Sequence, residues 1–110
     1  MTKTYYKANI ANDYYDYMVD YDKDMLLYVA EENNWEIDEP VEVVIDDNNK
    51  VVLYCHYNDD TDDVPSPYEW ATVEDANVWY EYNNSDGHWA VAKAITVVDG
   101  VEYDITDDYN

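Results

Sequence analysis

Asp20, Asp22, Asp24 and Glu31 stand at the first, third, fifth and twelfth positions of a twelve-residue window. That spacing suits calcium, whose oxygen ligands come from those positions when the chain wraps the ion. Such a loop needs glycine at its sixth position for a sharp turn, and Met25 stands there instead. Asp59-Asp60-Thr61-Asp62-Asp63 gathers oxygen donors a second time, and its carboxylates read as charge presented from a solvated loop. Cys55, His56 and His88 are the only thiol and imidazoles. Neighbours in a strand point to opposite faces, so Cys55 and His56 do not converge on a zinc ion or form a nucleophile–base pair. Gly87 and Gly100 both fall in turns, which leaves no glycine-rich phosphate loop. Nothing singles out a pair of acids for proton or glycoside chemistry. The expectation is a protein with no catalytic set, no metal and no cofactor.

The chemistry that remains is electrostatic. Twenty-seven acids face five lysines in 110 residues, there is no arginine, and the formal charge is −22. Such a charge governs solubility and association more than fold. Affinity for nucleic acid comes from cations that displace counterions from phosphate, so direct binding to DNA, RNA or an anionic membrane is not expected. Twenty-two charges equal those on roughly 37 Å of duplex, at one charge per about 1.7 Å. A compact chain of this length is roughly 34 Å across.

The elements that must position these acids are read from periodicity. Tyr14, Tyr17, Met18, Tyr21, Met25, Tyr28 and Val29 recur at steps of three and four, the mark of one helix face. Asn12 or Asp13 suits the N-cap and Asn33-Asn34 the end. A helix of roughly twenty residues follows, with a tyrosine-rich seam opposite a ridge of Asp13, Asp16, Asp20, Asp24 and Glu31. Like charges at i,i+4 destabilise a helix, and a cost accepted repeatedly argues that the ridge serves a purpose. Thr4–Ile10 reads as a short strand. Val41–Ile45 and Val51–Tyr57 read as a hairpin around Asp46–Lys50, and residues 58–67 as a loop. Thr72-Val73-Glu74-Asp75 is similar to a capping box opening a helix through 73–80, against a rival strand through 78–82. His88–Val98 and Val101–Ile105 flank Asp99-Gly100, a strong hairpin signal. The fold class predicted is α+β: one domain over 1–110, with an antiparallel β-sheet built from hairpins packed against one long N-terminal amphipathic helix.

The start, Met1-Thr2-Lys3-Thr4-Tyr5-Tyr6, carries no apolar leader, no stretch suits a membrane span, and a lone cysteine fits a reducing cytoplasm. An inert, buried thiol is expected at Cys55.

A one-signed surface of this kind fits a partner with a basic, phosphate-spaced groove. The residues expected to touch it are Asp13, Asp16, Asp20, Asp24 and Glu31 on the ridge, with Asp59, Asp60, Asp62 and Asp63 in the loop. Tyr15, off the seam, joins them as a rim contact where a base would stack. Two copies end to end would lengthen such a surface, so a homodimer is compatible with this reading. In size, acidity and scarcity of catalytic residues the whole chain resembles the DNA-mimic inhibitors of phages and mobile elements: anti-restriction proteins, anti-CRISPR proteins and uracil-DNA glycosylase inhibitors. The resemblance is one of composition and matches no member's motif. It implies blockade of the DNA-binding surface of a host defence nuclease, in the host cytoplasm. The alternative is a salt-adapted or calcium-binding acidic domain with no mimicry, and an acidic chaperone for a basic protein shares the mimic's physics.

Overall fold

Thr4–Asn9 forms the first strand, β1, and in the computed structural model it is the centre of a three-stranded sheet. The structure describes residues 3–11, 16–57, 64–83 and 89–109. The chain gathers into two compact units, Met1–Ile45 and Asp46–Asn110.

In the first unit, β1 pairs antiparallel with β2 (Tyr17–Asp20) on one side and β3 (Val41–Val44) on the other. Ala8 lies opposite Met18. Both are buried in a core with Ile10, Leu26 and Ala30, against which Tyr6, Val29, Trp35 and Ile37 pack. Lys7 holds its ammonium 4.1 Å from the centre of the Tyr17 ring, a diagonal cross-strand contact of cation–π type. Helix α1 spans Lys23–Glu32. It starts where the Asp22 carboxylate accepts from the backbone N–H groups of Asp24 and Met25, at 2.9 and 3.4 Å. It ends at Asn33, whose side-chain amide donates to the Val29 carbonyl, with Asn34 in the left-handed region at φ 56°. Asp22→Ala removes an acceptor for two otherwise orphaned donors and is expected to cost about 1 kcal/mol in urea unfolding.

The second unit is a four-stranded antiparallel sheet in the order β5-β4-β6-β7. Its strands are β4 (Lys50–Tyr57), β5 (Ser66–Trp70), β6 (Trp89–Val98) and β7 (Val101–Asp104). β4 reads as a nearly continuous apolar run, and Val51, Val52, Leu53 and Cys55 are all buried in this strand between β5 and β6. Helix α2 (Val73–Asn83) packs on β4 and β5. Thr72 opens it, its hydroxyl accepting from the Asp75 N–H at 3.1 Å. The Trp79 ring on α2 lies 5.3 Å from Trp70 and 4.6 Å from Tyr68, centre to centre. Lys50 and Glu69 form a half-hidden ion pair between β4 and β5, which Asp47 joins at 3.3 Å. Asp99 and Gly100, at φ 51° and 82°, make the tight turn between β6 and β7, the left-handed pair that a two-residue hairpin needs. A 3-10 helix at Thr106–Tyr109 follows.

Three sequence expectations give way here. The described residues are mostly antiparallel sheet, seven strands in two sheets with two short helices. One long N-terminal helix packed against a sheet of hairpins is not the fold. Tyr17–Asp20 leaves the predicted helix because β1 offers these residues a ladder and buries Met18 and Val19. The i,i+4 aspartates Asp16, Asp20 and Asp24 therefore never share a helix, and no helical cost is accepted there. The hairpin of Val41–Ile45 with Val51–Tyr57 does not form. The turn at Asp46–Asn49 closes, with Asn49 N–H to Asp46 O at 3.0 Å, but β3 pairs with β1 and β4 with β5 and β6. The prolines that read as loop leave Ser66–Trp70 free to be a strand, because β5 is an edge and an edge tolerates Pro67. The open choice at 73–82 resolves to helix. No helix among the described residues is long and apolar enough to cross a membrane.

Candidate functional site

α1 turns its buried stripe inward through Leu26 and Ala30, four residues apart and so on one face. The opposite face carries Asp24, Met25, Leu27, Tyr28, Glu31 and Glu32, all exposed. Tyr28 is 58% exposed, Met25 50% and Leu27 42%. Large apolar side chains left open together, with carboxylates on both sides, make this face the candidate surface. Tyrosine and methionine are enriched in such contacts. No lysine lies on this face. Lys23, at its border, is held by Glu39 at 3.6 Å, and Lys50 in the other unit is taken by Glu69 and Asp47.

The predicted ridge is brought together in part. Asp24 and Glu31, seven residues apart, share the exposed face of α1. Asp20 ends β2, and its Oδ1 accepts from the Asp22 N–H at 3.0 Å, so it shapes the turn into the helix. Asp16 is exposed in the bend before β2, where its carbonyl accepts from the Ile10 N–H. Asp13, Tyr15, Asp59, Asp60, Asp62 and Asp63 lie outside the described residues. The calcium-like window is divided between a strand end (Asp20), a cap (Asp22), and the first and last turns of a helix (Asp24 and Glu31). Sequence reasoning missed Glu32 and Leu27, and it placed Met25 and Tyr28 in the core seam. The signal that separates them is Asp22 as cap, followed by Leu26, Val29 and Ala30 at helical spacing.

Two exposed carboxylates are tuned by their neighbours. Asp38 accepts from the side-chain amide and then the backbone N–H of Asn9, both at 2.8 Å, and these bonds hold its pKa below the ordinary carboxylate value. Thr106, by side chain and backbone, lowers Asp104 in the same way, helped by Lys93. A carboxylate whose pKa is lower folded than unfolded adds stability above the unfolded value near 3.8. That contribution fades as pH falls through the folded value. Asn9→Ala is expected to move the Asp38 midpoint upward, followed by the carboxyl carbon in an NMR pH titration, with Asp104 unmoved.

Cys55 is buried, and burial pushes its thiol up to about 12. The thiolate that would attack or ligate is therefore scarce at neutral pH. Labelling by an aromatic disulfide at pH 7.5 is expected to be negligible in the native protein and complete within minutes in denaturant. Among the described residues no group of three or more His, Cys, Asp or Glu side chains is placed to hold a metal ion.

Comparison with protein-family models, with curated proteins and with solved structures found no match to this chain.

Proposed function

We propose that this protein binds the nucleic-acid-binding surface of a basic protein and excludes DNA from it, with the outer face of α1 as a principal contact. The observation that carries the reading is the exposed combination of Asp24, Glu31 and Glu32 with Tyr28, Met25 and Leu27 on a chain of net charge −22. Asp24 and Glu31 stand roughly 10.5 Å apart along the helix axis, at 1.5 Å per residue. That is about three phosphate steps of one DNA strand, at 3.4 Å each. Carboxylates at this spacing pair with lysines and arginines set for phosphate, while the tyrosine and the apolar side chains supply contact area that excludes water. Uncompensated charge on both sides steers association and releases counterions. The compositional resemblance to DNA-mimic inhibitors makes a host defence nuclease, of the CRISPR or restriction type, the target class.

The test is competition. Immobilised protein is used to capture partners from cells that carry such nucleases, and the bound fraction is challenged with duplex DNA. A captured nuclease that DNA displaces, and whose cleavage the free protein inhibits, supports the reading. A partner retained at saturating DNA, or one with no nucleic-acid-binding surface, overturns it.

A further inference from the structure

In the second unit a groove of about 430 Å³ lies between α2 and the C-terminal 3-10 helix, lined by Asn77, Tyr80, Glu81, Asp108 and Tyr109. Its volume is in the range of small-ligand sites. Asn77, Tyr80 and Glu81 stand three and four residues apart and so share one face of α2. The opposite wall is anchored before any ligand arrives. Thr106 accepts from the Ala94 N–H at 3.0 Å. Its own N–H donates to Asp104 at 2.8 Å, and the Asp108 N–H donates to the Ile105 carbonyl at 3.0 Å. The two walls are tied to each other where the Tyr109 hydroxyl donates to Asn77 Oδ1 at 2.6 Å. The Tyr80 and Tyr109 rings meet edge to face at 6.1 Å. Burial, and then the Asp108 carboxylate, push the Tyr109 phenol up, so it stays a neutral donor at physiological pH.

Among the described residues the lining thus offers two aromatic rings and two carboxylates, and no basic side chain. Aromatic faces attract cations, arginine most often. A carboxylate accepts the guanidinium fork in a planar, bidentate arrangement that an ammonium cannot match. A hard metal ion is a poorer fit, because calcium takes six to eight oxygens and the groove holds two carboxylates. We propose that this groove binds the guanidinium of an arginine side chain presented by the basic partner protein. The assignment deepens the reading above and rests on it for the source of the arginine, while the groove chemistry stands on its own geometry.

The test needs no partner. The whole chain, isotope-labelled, is titrated with N-acetyl-arginine amide, with the lysine analogue, and with the citrulline analogue, which keeps the shape of arginine without its charge. The expected result is saturable shifts at Asn77, Tyr80, Glu81, Asp108 and Tyr109 with arginine, weaker shifts with lysine, and none with citrulline. Glu81→Gln combined with Asp108→Asn is expected to weaken arginine binding by about tenfold, the loss of two exposed ion pairs. Tyr80→Leu, which leaves both carboxylates and the Tyr109–Asn77 tie in place, is expected to weaken arginine more than lysine. Equal shifts with citrulline overturn the site, as do arginine shifts at Asp24, Glu31 and Glu32 as large as those in the groove. Equal affinity for lysine overturns the guanidinium assignment. If DNA fails to displace the captured partner while arginine still saturates the groove, the DNA-blocking reading alone has failed.

Discussion

Asp24→Lys, Glu31→Lys and Glu32→Lys, combined in one chain, are expected to lower affinity for the basic partner by about a hundredfold or more. Removing an exposed ion pair costs little, 0 to 1 kcal/mol each, but reversal places like charges face to face, and that costs several kcal/mol across an interface. All three positions are solvent-exposed on α1, and none caps the helix or touches its buried stripe. The circular dichroism spectrum and urea midpoint are therefore expected to stay close to those of the parent. Glu31 and Glu32 lie in the last turn of α1, where lysine suits the helix dipole better than glutamate. The kinetic signature separates charge from contact. Charge reversal acts mainly on the association rate and flattens its dependence on salt, whereas Tyr28→Ala, a truncated anchor, acts on dissociation. Surface plasmon resonance over a salt series reads both. Unchanged affinity in the triple variant removes α1 from the interface.

Trp70→Ala is expected to cost about 3–5 kcal/mol, the usual price of emptying a buried aromatic site. Trp70 is wholly buried, and its ring packs on Trp79 of α2. Domains have only about 5–15 kcal/mol in all, so the loss leaves the second unit marginal at best. Because α2 also carries Asn77, Tyr80 and Glu81, the same substitution is expected to loosen the groove beside the 3-10 helix before the sheet unfolds. Trp70→Phe fills most of the site and is expected to cost less than half as much. Urea unfolding followed by far-ultraviolet circular dichroism measures the stability change. Hydrogen exchange at the amides of α2 reads the loosening. A midpoint unmoved by Trp70→Ala contradicts the packing between β5 and α2.

Elements announced by local chemistry were legible. Asp99-Gly100 predicted a two-residue hairpin because few residues accept two successive positive φ angles, and both are found there. Asn33-Asn34 predicted the end of α1, and Thr72 offered a start for α2 that the rival strand over 78–82 left open until its hydroxyl was found accepting from the Asp75 N–H. The phase of α1 was not legible. Tyr17, Met18, Tyr21, Met25 and Tyr28 keep helical spacing across a stretch that is strand, turn and helix in succession. A count of spacings cannot register that β1 competes for Tyr17–Asp20. Once those residues pair, the helix begins at its Asp22 cap, and Met25 and Tyr28 face outward while Leu26 and Ala30 face in. The candidate site changed accordingly, keeping Asp24 and Glu31, gaining Glu32 and Tyr28, and giving up Asp20 to a turn.

The amino-acid sequence by itself determined the sign and size of the charge, the want of arginine to offset it, and the short turns and caps, since each depends on residue type or on neighbours a few positions apart. Only the tertiary structure decided which acids share a surface, that Val41–Val44 joins β1 instead of β4, and that α2 and the 3-10 helix enclose a groove. Those outcomes depend on strands and helices distant in the chain finding partners for their backbone hydrogen bonds and apolar faces, and no local pattern carries that information.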